Sequence, residues 1–213
     1  GAEEAIFIFM NVALEQGDHV IVHYPCYQSL YAVARSLGCE VTRWRAREDS
    51  GWELDIDFLR KNIKKNTRAI IINCPHNPTG YLMDRERWRQ VIEVAREHKI
   101  LVFSDEVYRF LEYNSDERLP AAADCYEKGV SLGVMSKSFG LAGLRIGWVA
   151  TREQHLLRKM AAFKDYTTIC SSAPSELLAR LALNQAETLM QRNVSIIQAN
   201  LAQVRPFMQR WMQ

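Results

Sequence analysis

Six short runs of β-branched character, several of them almost wholly apolar, with amphipathic segments between them, constrain this chain more than any other feature of its sequence. They span His19 to His23, Cys39 to Trp44, Arg68 to Asn73, Ile100 to Ser104, Val130 to Met135 and Arg145 to Ala150. A strand that is apolar on both sides needs cover on both sides, whereas a half-exposed strand alternates strictly between apolar and polar. The pattern therefore predicts an α/β fold, a mostly parallel mixed sheet with helices on both faces. Asp84 to Lys99 supports it: Trp88, Val91, Ile92 and Ala95 fall at i, i+3, i+4 and i+7 on one helical face, and Asp84 stands where an N-cap belongs. Leu156 to Phe163 reads as a shorter helix, and from Pro174 onward the pattern is long helix with possible breaks.

A chain of 213 residues can bury a core of this kind without disulfides or a structural metal. Its 27 basic and 25 acidic residues are scattered and leave a net charge of +2, which argues against nucleic acid or an anionic membrane as partner. The five cysteines (Cys26, Cys39, Cys74, Cys125 and Cys170) are odd in number and widely spaced, with no zinc-like spacing, so no metal is expected and a reducing cytoplasm fits. No run approaches the length of a membrane span, and the start lacks the basic-then-apolar order of an export signal. Asn193-Val194-Ser195 matches a glycosylation sequon, but within a helical run it reads as chance. The chain opens directly into a helical pattern at Gly1-Ala2-Glu3-Glu4-Ala5-Ile6 and stops inside another at Gln213, which leads us to expect a fragment of a longer protein.

Ligands of open α/β sheets bind at the carboxyl ends of strands. Three of the expected strands run there into chemistry-bearing residues: Asn73-Cys74-Pro75-His76-Asn77-Pro78-Thr79-Gly80, Ser104-Asp105-Glu106-Val107-Tyr108 and Ser136-Lys137-Ser138-Phe139-Gly140. An amide, a carboxylate with a phenol, and a lysine thus converge on one edge. A lysine that forms a Schiff base needs a carbonyl partner, and pyridoxal-phosphate chemistry also needs a carboxylate that keeps the pyridine nitrogen protonated; Lys137 and Asp105 meet those needs. Gly140, Gly143 and Gly147 do not form G-x-G-x-x-G, and no G-K-[ST] occurs, so dinucleotide and P-loop sites are unsupported.

Together with Leu141-Ala142-Gly143-Leu144-Arg145-Ile146-Gly147, these segments resemble, in order and spacing, the signatures of the class I/II aminotransferases of fold type I. The resemblance covers nearly the whole chain and implies the pyridoxal-phosphate-binding large domain over residues 1–213. The N-terminal segment and the C-terminal small domain would be missing, with residues 174–213 a helix leading toward the latter. It implies transfer of an amino group from an amino acid to a 2-oxo acid, with Lys137 as the Schiff-base lysine and proton shuttle and Asp105 as partner of the pyridinium nitrogen. Tyr108 and Asn77 would donate to the phenolate oxygen. Arg145, the backbone of Ala2 and Glu3 in a glycine-led turn, and Ser136 would hold the phosphate, and Tyr27 would stack on the ring.

Further expectations follow from the same resemblance. The base is the lysine, so His76 is expected to be structural, and strand alternation should turn Glu106 away from the cofactor if Asp105 faces it. Val134 stands where the family often carries a phosphate-binding hydroxyl. A homodimer is implied. The small domain usually supplies the arginine that clamps the substrate carboxylate, so the isolated 213 residues should bind the cofactor weakly and transaminate poorly or not at all. Related outcomes of the same chemistry, such as β-elimination, C–S lysis or cyclisation, and a cofactor-binding regulatory domain are the alternatives.

Overall fold

In the computed structural model, which describes residues 1–211, the six runs become six strands of one sheet: β1 (His19–Tyr24), β2 (Glu40–Arg45), β3 (Thr67–Asn73), β4 (Leu101–Asp105), β5 (Gly129–Val134) and β6 (Gly147–Thr151). Their order is β2-β1-β3-β4-β5-β6, with the first five parallel and β6 antiparallel to β5. Among the described residues the α-helices are α1 (Ala2–Ala13), α2 (Ser29–Ser36), α3 (Ile56–Asn62), α4 (Arg85–His98), α5 (Ala122–Cys125), α6 (Gln154–Lys164), α7 (Ala173–Asn184) and α8 (Ala186–Trp211). The expected helical end at Met212 and Gln213 lies outside the described residues.

Alternate strand residues feed two cores. Val20, Val22, Ala69, Ile71, Phe103, Val130 and Leu132 pack against Ile6, Phe9 and Met10 of α1, Leu30 of α2 and Leu156 of α6. Ile21, Ile70, Ile72 and Val102 face the other way, onto Leu59 of α3, Trp88, Val91, Ile92 and Ala95 of α4 and Ala122 of α5. The expected apolar face of α4 is thus the buried one, and the Asp84 carboxylate caps the helix by accepting from the Arg87 N–H at 2.7 Å. No helix among the described residues is long and apolar enough to cross a membrane.

One boundary differs from expectation. β6 begins at Gly147 rather than Arg145, because Arg145 holds a left-handed backbone (φ 56°) that caps the short turn Ala142–Leu144. The C-terminal helical run breaks at Gln185, and α8 has no fully buried residue.

Register levels the strand ends that matter: Asn73 pairs with Asp105, and Asp105 with Leu132, so β3, β4 and β5 release their loops side by side. Gly129 makes the close approach of α5 to β5 possible. A Cβ there would stand 2.0 Å from the Ala122 carbonyl oxygen, which is backbone and cannot turn aside. Gly129→Ala is expected to destabilise the chain by about 3 kcal/mol, the upper range for overpacking. A denaturant melt showing a loss below about 1 kcal/mol would contradict this account of the α5–β5 contact.

Candidate active site

Asp105 ends β4 on the same side of the strand as Phe103, toward α1, and is only 5% exposed. Among the described residues its carboxylate accepts a single hydrogen bond, from the Val107 N–H at 3.3 Å. Loss of hydration is the main influence on its pKa and pushes it up to about 7. The Val107 N–H and the Lys137 charge pull it down, while Glu106 and Glu3 push it further up. Glu106 is turned to the opposite face, as alternation requires. Its Oε1 accepts from the Ser131 hydroxyl at 2.7 Å and the Ala122 N–H at 2.9 Å. Burial raises its pKa, with those bonds acting in opposition.

Lys137 lies in the loop beyond β5, exposed, with Nζ 5.7 Å from the centroid of the Tyr108 ring. The loop is braced from behind. The buried Ser138 hydroxyl donates to the Val107 carbonyl at 3.1 Å and also reaches the Arg109 carbonyl, while the Asn193 amide of α8 donates to the Ser138 carbonyl at 2.9 Å. Asn193, the sequon asparagine, is therefore engaged inside the fold. Phe110, in the turn that Ser138 grips, holds φ 76°, and its N–H is fixed by the Glu112 carboxylate at 2.8 Å. Strain of this kind persists where surrounding contacts over-determine the backbone. Asp105, Tyr108 and Lys137 are thus brought to one edge of the sheet.

Asn77 stands beside them on the turn after β3, its N–H donating to the Asn73 side-chain oxygen at 2.8 Å. His76, buried, pairs its Nδ1 with the Thr79 hydroxyl at 2.6 Å and stacks on His23 with ring centroids 3.7 Å apart. Burial pushes His76 down to about 4 and His23 down to about 3, His76 itself adding to the effect on His23. The Asn73 carbonyl opposes the shift at His23 without reaching hydrogen-bond geometry. Both rings are neutral near pH 7, and a pKa of about 4 makes His76 a weak base.

The fourth component lies at the start of α1. The N–H groups opening α1, at Ala2 and Glu3, have no partner within the helix. The Arg145 guanidinium reaches back to Gly1, its Nη2 3.4 Å from where a Cβ on that glycine would be. Arg145 donates to the Ala142 carbonyl at 3.0 Å and has no carboxylate partner among the described residues. The Glu3 side chain is turned aside to accept from the Ser29 hydroxyl at 3.1 Å.

Ser136 is half-buried and Tyr27 is 52% exposed. No hydrogen bond or ring contact joins either of them, or the side chain of Asn77, to Asp105 or Lys137 among the described residues. Val134 is 4% exposed and packed in the α1-side core, so it offers no polar group to the start of α1. Asn73, Ser138 and the His23–His76 stack escaped sequence reasoning. Ser138 and Asn73 lie within or beside the motifs, but their roles depend on neighbours from other strands.

A family model described as aminotransferase class I and II matches residues 1–210. Among curated proteins, a capreomycidine synthase from Streptomyces vinaceus is 28% identical over 190 residues, 89% of this chain and 48% of that protein. An aspartate aminotransferase from Sulfolobus acidocaldarius is 30% identical over 192 residues, 88% of this chain and 47% of that protein. Among solved structures, a PLP-dependent aminotransferase from Streptococcus suis superposes with a TM-score of 0.93 at 38% identity, covering 99% of this chain and 55% of that one. The chain spans about half the length of the curated relatives it matches.

The state of Asp105 sets a pH dependence in the ligand-free chain. Its folded pKa lies above the unfolded value of about 4, so the folded state binds the proton more tightly and stability falls as pH rises from about 4 to about 7. Asp105→Asn removes that titration. Its stability relative to the parent should grow across the window, by on the order of 2–4 kcal/mol, and stay level above it. Thermal melts in a pH series check this, and a difference independent of pH would refute the buried-charge account.

Proposed function

Because the chain belongs to the class I and II aminotransferases, we propose that it carries the cofactor-binding part of a pyridoxal-phosphate enzyme that moves an amino group from an amino acid to a 2-oxo acid. The observation that carries this reading is Asp105, a buried carboxylate with a single hydrogen bond. Burying a charge without a cation is costly, and the cost is offset when a ligand brings that cation. A protonated pyridine nitrogen is such a partner, and its charge would reverse the upward shift at Asp105.

The other residues fit the same group. Pyridoxal phosphate, when bound, supplies an aldehyde for an amine and a ring that takes up the electrons released at the amino acid's Cα. Lys137 provides the amine that holds the cofactor covalently. Freed by the incoming amino acid, its Nζ would act as general base and acid, carrying the proton between the substrate Cα and the cofactor's C4′. Tyr108 and Asn77 would donate to the cofactor's phenolate oxygen. Arg145 offers a planar fork to the phosphate, joined by the Ala2 and Glu3 N–H groups and the Ser136 hydroxyl. Tyr27 would stack on the ring.

We read the whole enzyme as a cytoplasmic homodimer. The absence of a membrane-crossing helix among the described residues and five unpaired cysteines support the compartment, and family analogy supports the dimer. The likeness to a capreomycidine synthase supports a second reading, another reaction on an amino acid from the same cofactor site. An amino-acid panel scored for 2-oxo acid against other products distinguishes the two.

Borohydride reduction of the protein after incubation with pyridoxal phosphate should fix the cofactor on Lys137, and Lys137→Ala should abolish the label. A label mapped to another lysine removes the assignment. Arg145→Ala should weaken cofactor binding about 10- to 100-fold, the range for losing charge-assisted bonds. Unchanged affinity in a titration of the visible absorbance would take Arg145 out of the phosphate site.

A further inference from the structure

We propose that Asn73 is a positioning residue that sets the separation between Asp105 and Asn77, and through it the electronic tuning of the cofactor. The inference rests on the reading above for what those two residues contact, and on geometry alone for the brace itself.

Asn73 is the last residue of β3 and is 1% exposed. Its Oδ1 accepts the Asn77 N–H at 2.8 Å, and its Nδ2 donates to the Asp105 carbonyl at 2.9 Å. The Cys74 N–H donates to that same carbonyl at 3.2 Å. The β3–β4 register ends at the pair Asn73 and Asp105, and the Cys74 N–H bond to the Asp105 carbonyl is the last backbone tie between the two segments, so no backbone bond reaches from Asp105 to the turn at Asn77. The Asn73 amide takes over where the ladder stops. One end of it grips the residue proposed to meet the ring nitrogen. The other grips the residue proposed to donate to the phenolate oxygen on the same ring.

The chemistry of the position is demanding. One planar group must present an acceptor to an N–H and a donor to a C=O across a fixed span. A carboxylate lacks the donor, leucine lacks both, and glutamine is one methylene too long. A general structural asparagine would fit the position equally well. What separates the two ideas is that both bonds end on cofactor-facing residues, so their loss should register in the bound cofactor before it registers in the fold. The turn has independent support from the His23–His76 stack and the His76–Thr79 bond, so removing the brace should shift the turn rather than unfold it.

The test uses the full chain with Asn73→Ala and with Asn73→Leu, which keeps the number and branching of the side-chain heavy atoms. Both are expected to fold, judged by far-ultraviolet circular dichroism. In both, the apparent pKa of the bound cofactor's visible absorbance should move by at least about 0.5. Affinity for pyridoxal phosphate should fall about tenfold, or about 1.4 kcal/mol. Folded variants with unchanged absorbance titration and affinity within about twofold of the parent would overturn the proposal.

Hydrogen exchange on the unsubstituted, ligand-free chain tests the brace without any cofactor. The Asn77 amide should be protected to the level of the β3–β4 strand amides, and exchange at the rate of an unbonded loop amide would overturn the proposal even if neither variant folds. Failure of the parent chain to take up pyridoxal phosphate would count against the proposed function, while the exchange result still decides the brace.

Discussion

One carboxylate held almost out of water organises the functional edge of this protein. Asp105 completes β4 just where the apolar alternation of that strand runs out, so the position that would bury another Phe103 or Leu101 buries a charge instead. A surface aspartate would be hydrated and inert. Here the cation that acts on it belongs to an exposed lysine, and Glu3 and Glu106 both disfavour ionisation. The site is thereby less stable than the fold could make it, the usual relation between a binding centre and the scaffold around it. Glu106, one residue further, shows how the same chain treats a buried carboxylate that serves the architecture. Two close donors hold it, and an arginine stands nearby.

The scaffold turns that charge into a site by levelling strand ends. Parallel pairing in register across β3, β4 and β5 releases three loops at the same height, so residues distant in sequence become neighbours without any long loop reaching for them. Fixing the loops then needs only side-chain bonds: Ser138 to the carbonyls behind Tyr108, Asn193 to the lysine loop, and Asn73 between its two neighbours. A residue held by several such bonds loses little freedom when a ligand arrives, so binding energy is not spent on ordering the protein.

The four inner strands were legible because burial on both faces writes nearly continuous apolar runs, and five of the six starts fall within one residue of expectation. Arg145 broke the sixth. Its left-handed backbone is imposed by the Ala142–Leu144 turn, which no local pattern announces. The short helices α2 and α3 passed unmarked, having too few turns for periodicity to register. The convergence of Asp105, Tyr108 and Lys137 on one sheet edge was legible because each stands at or just beyond the end of a strand. Asn73 and His23 were not, since an amide or an imidazole acquires its meaning only from partners that pairing brings across from other elements.

Val134 illustrates how a departure in sequence can be absorbed by geometry. Its side chain belongs to the α1-side core, so a hydroxyl there would give up apolar burial. On the proposed reading, the phosphate charge then falls on Arg145 and the opening turn of α1. Both are suited to carry it: the helix presents N–H groups without intrahelical partners, and the guanidinium has no carboxylate competitor among the described residues. The same left-handed backbone that delays β6 places Arg145 against Gly1, so what reads as an irregular strand boundary is the means by which the cation reaches the helix N-terminus. Local regularity yields to the site at Arg145, as apolar continuity yields to it at Asp105.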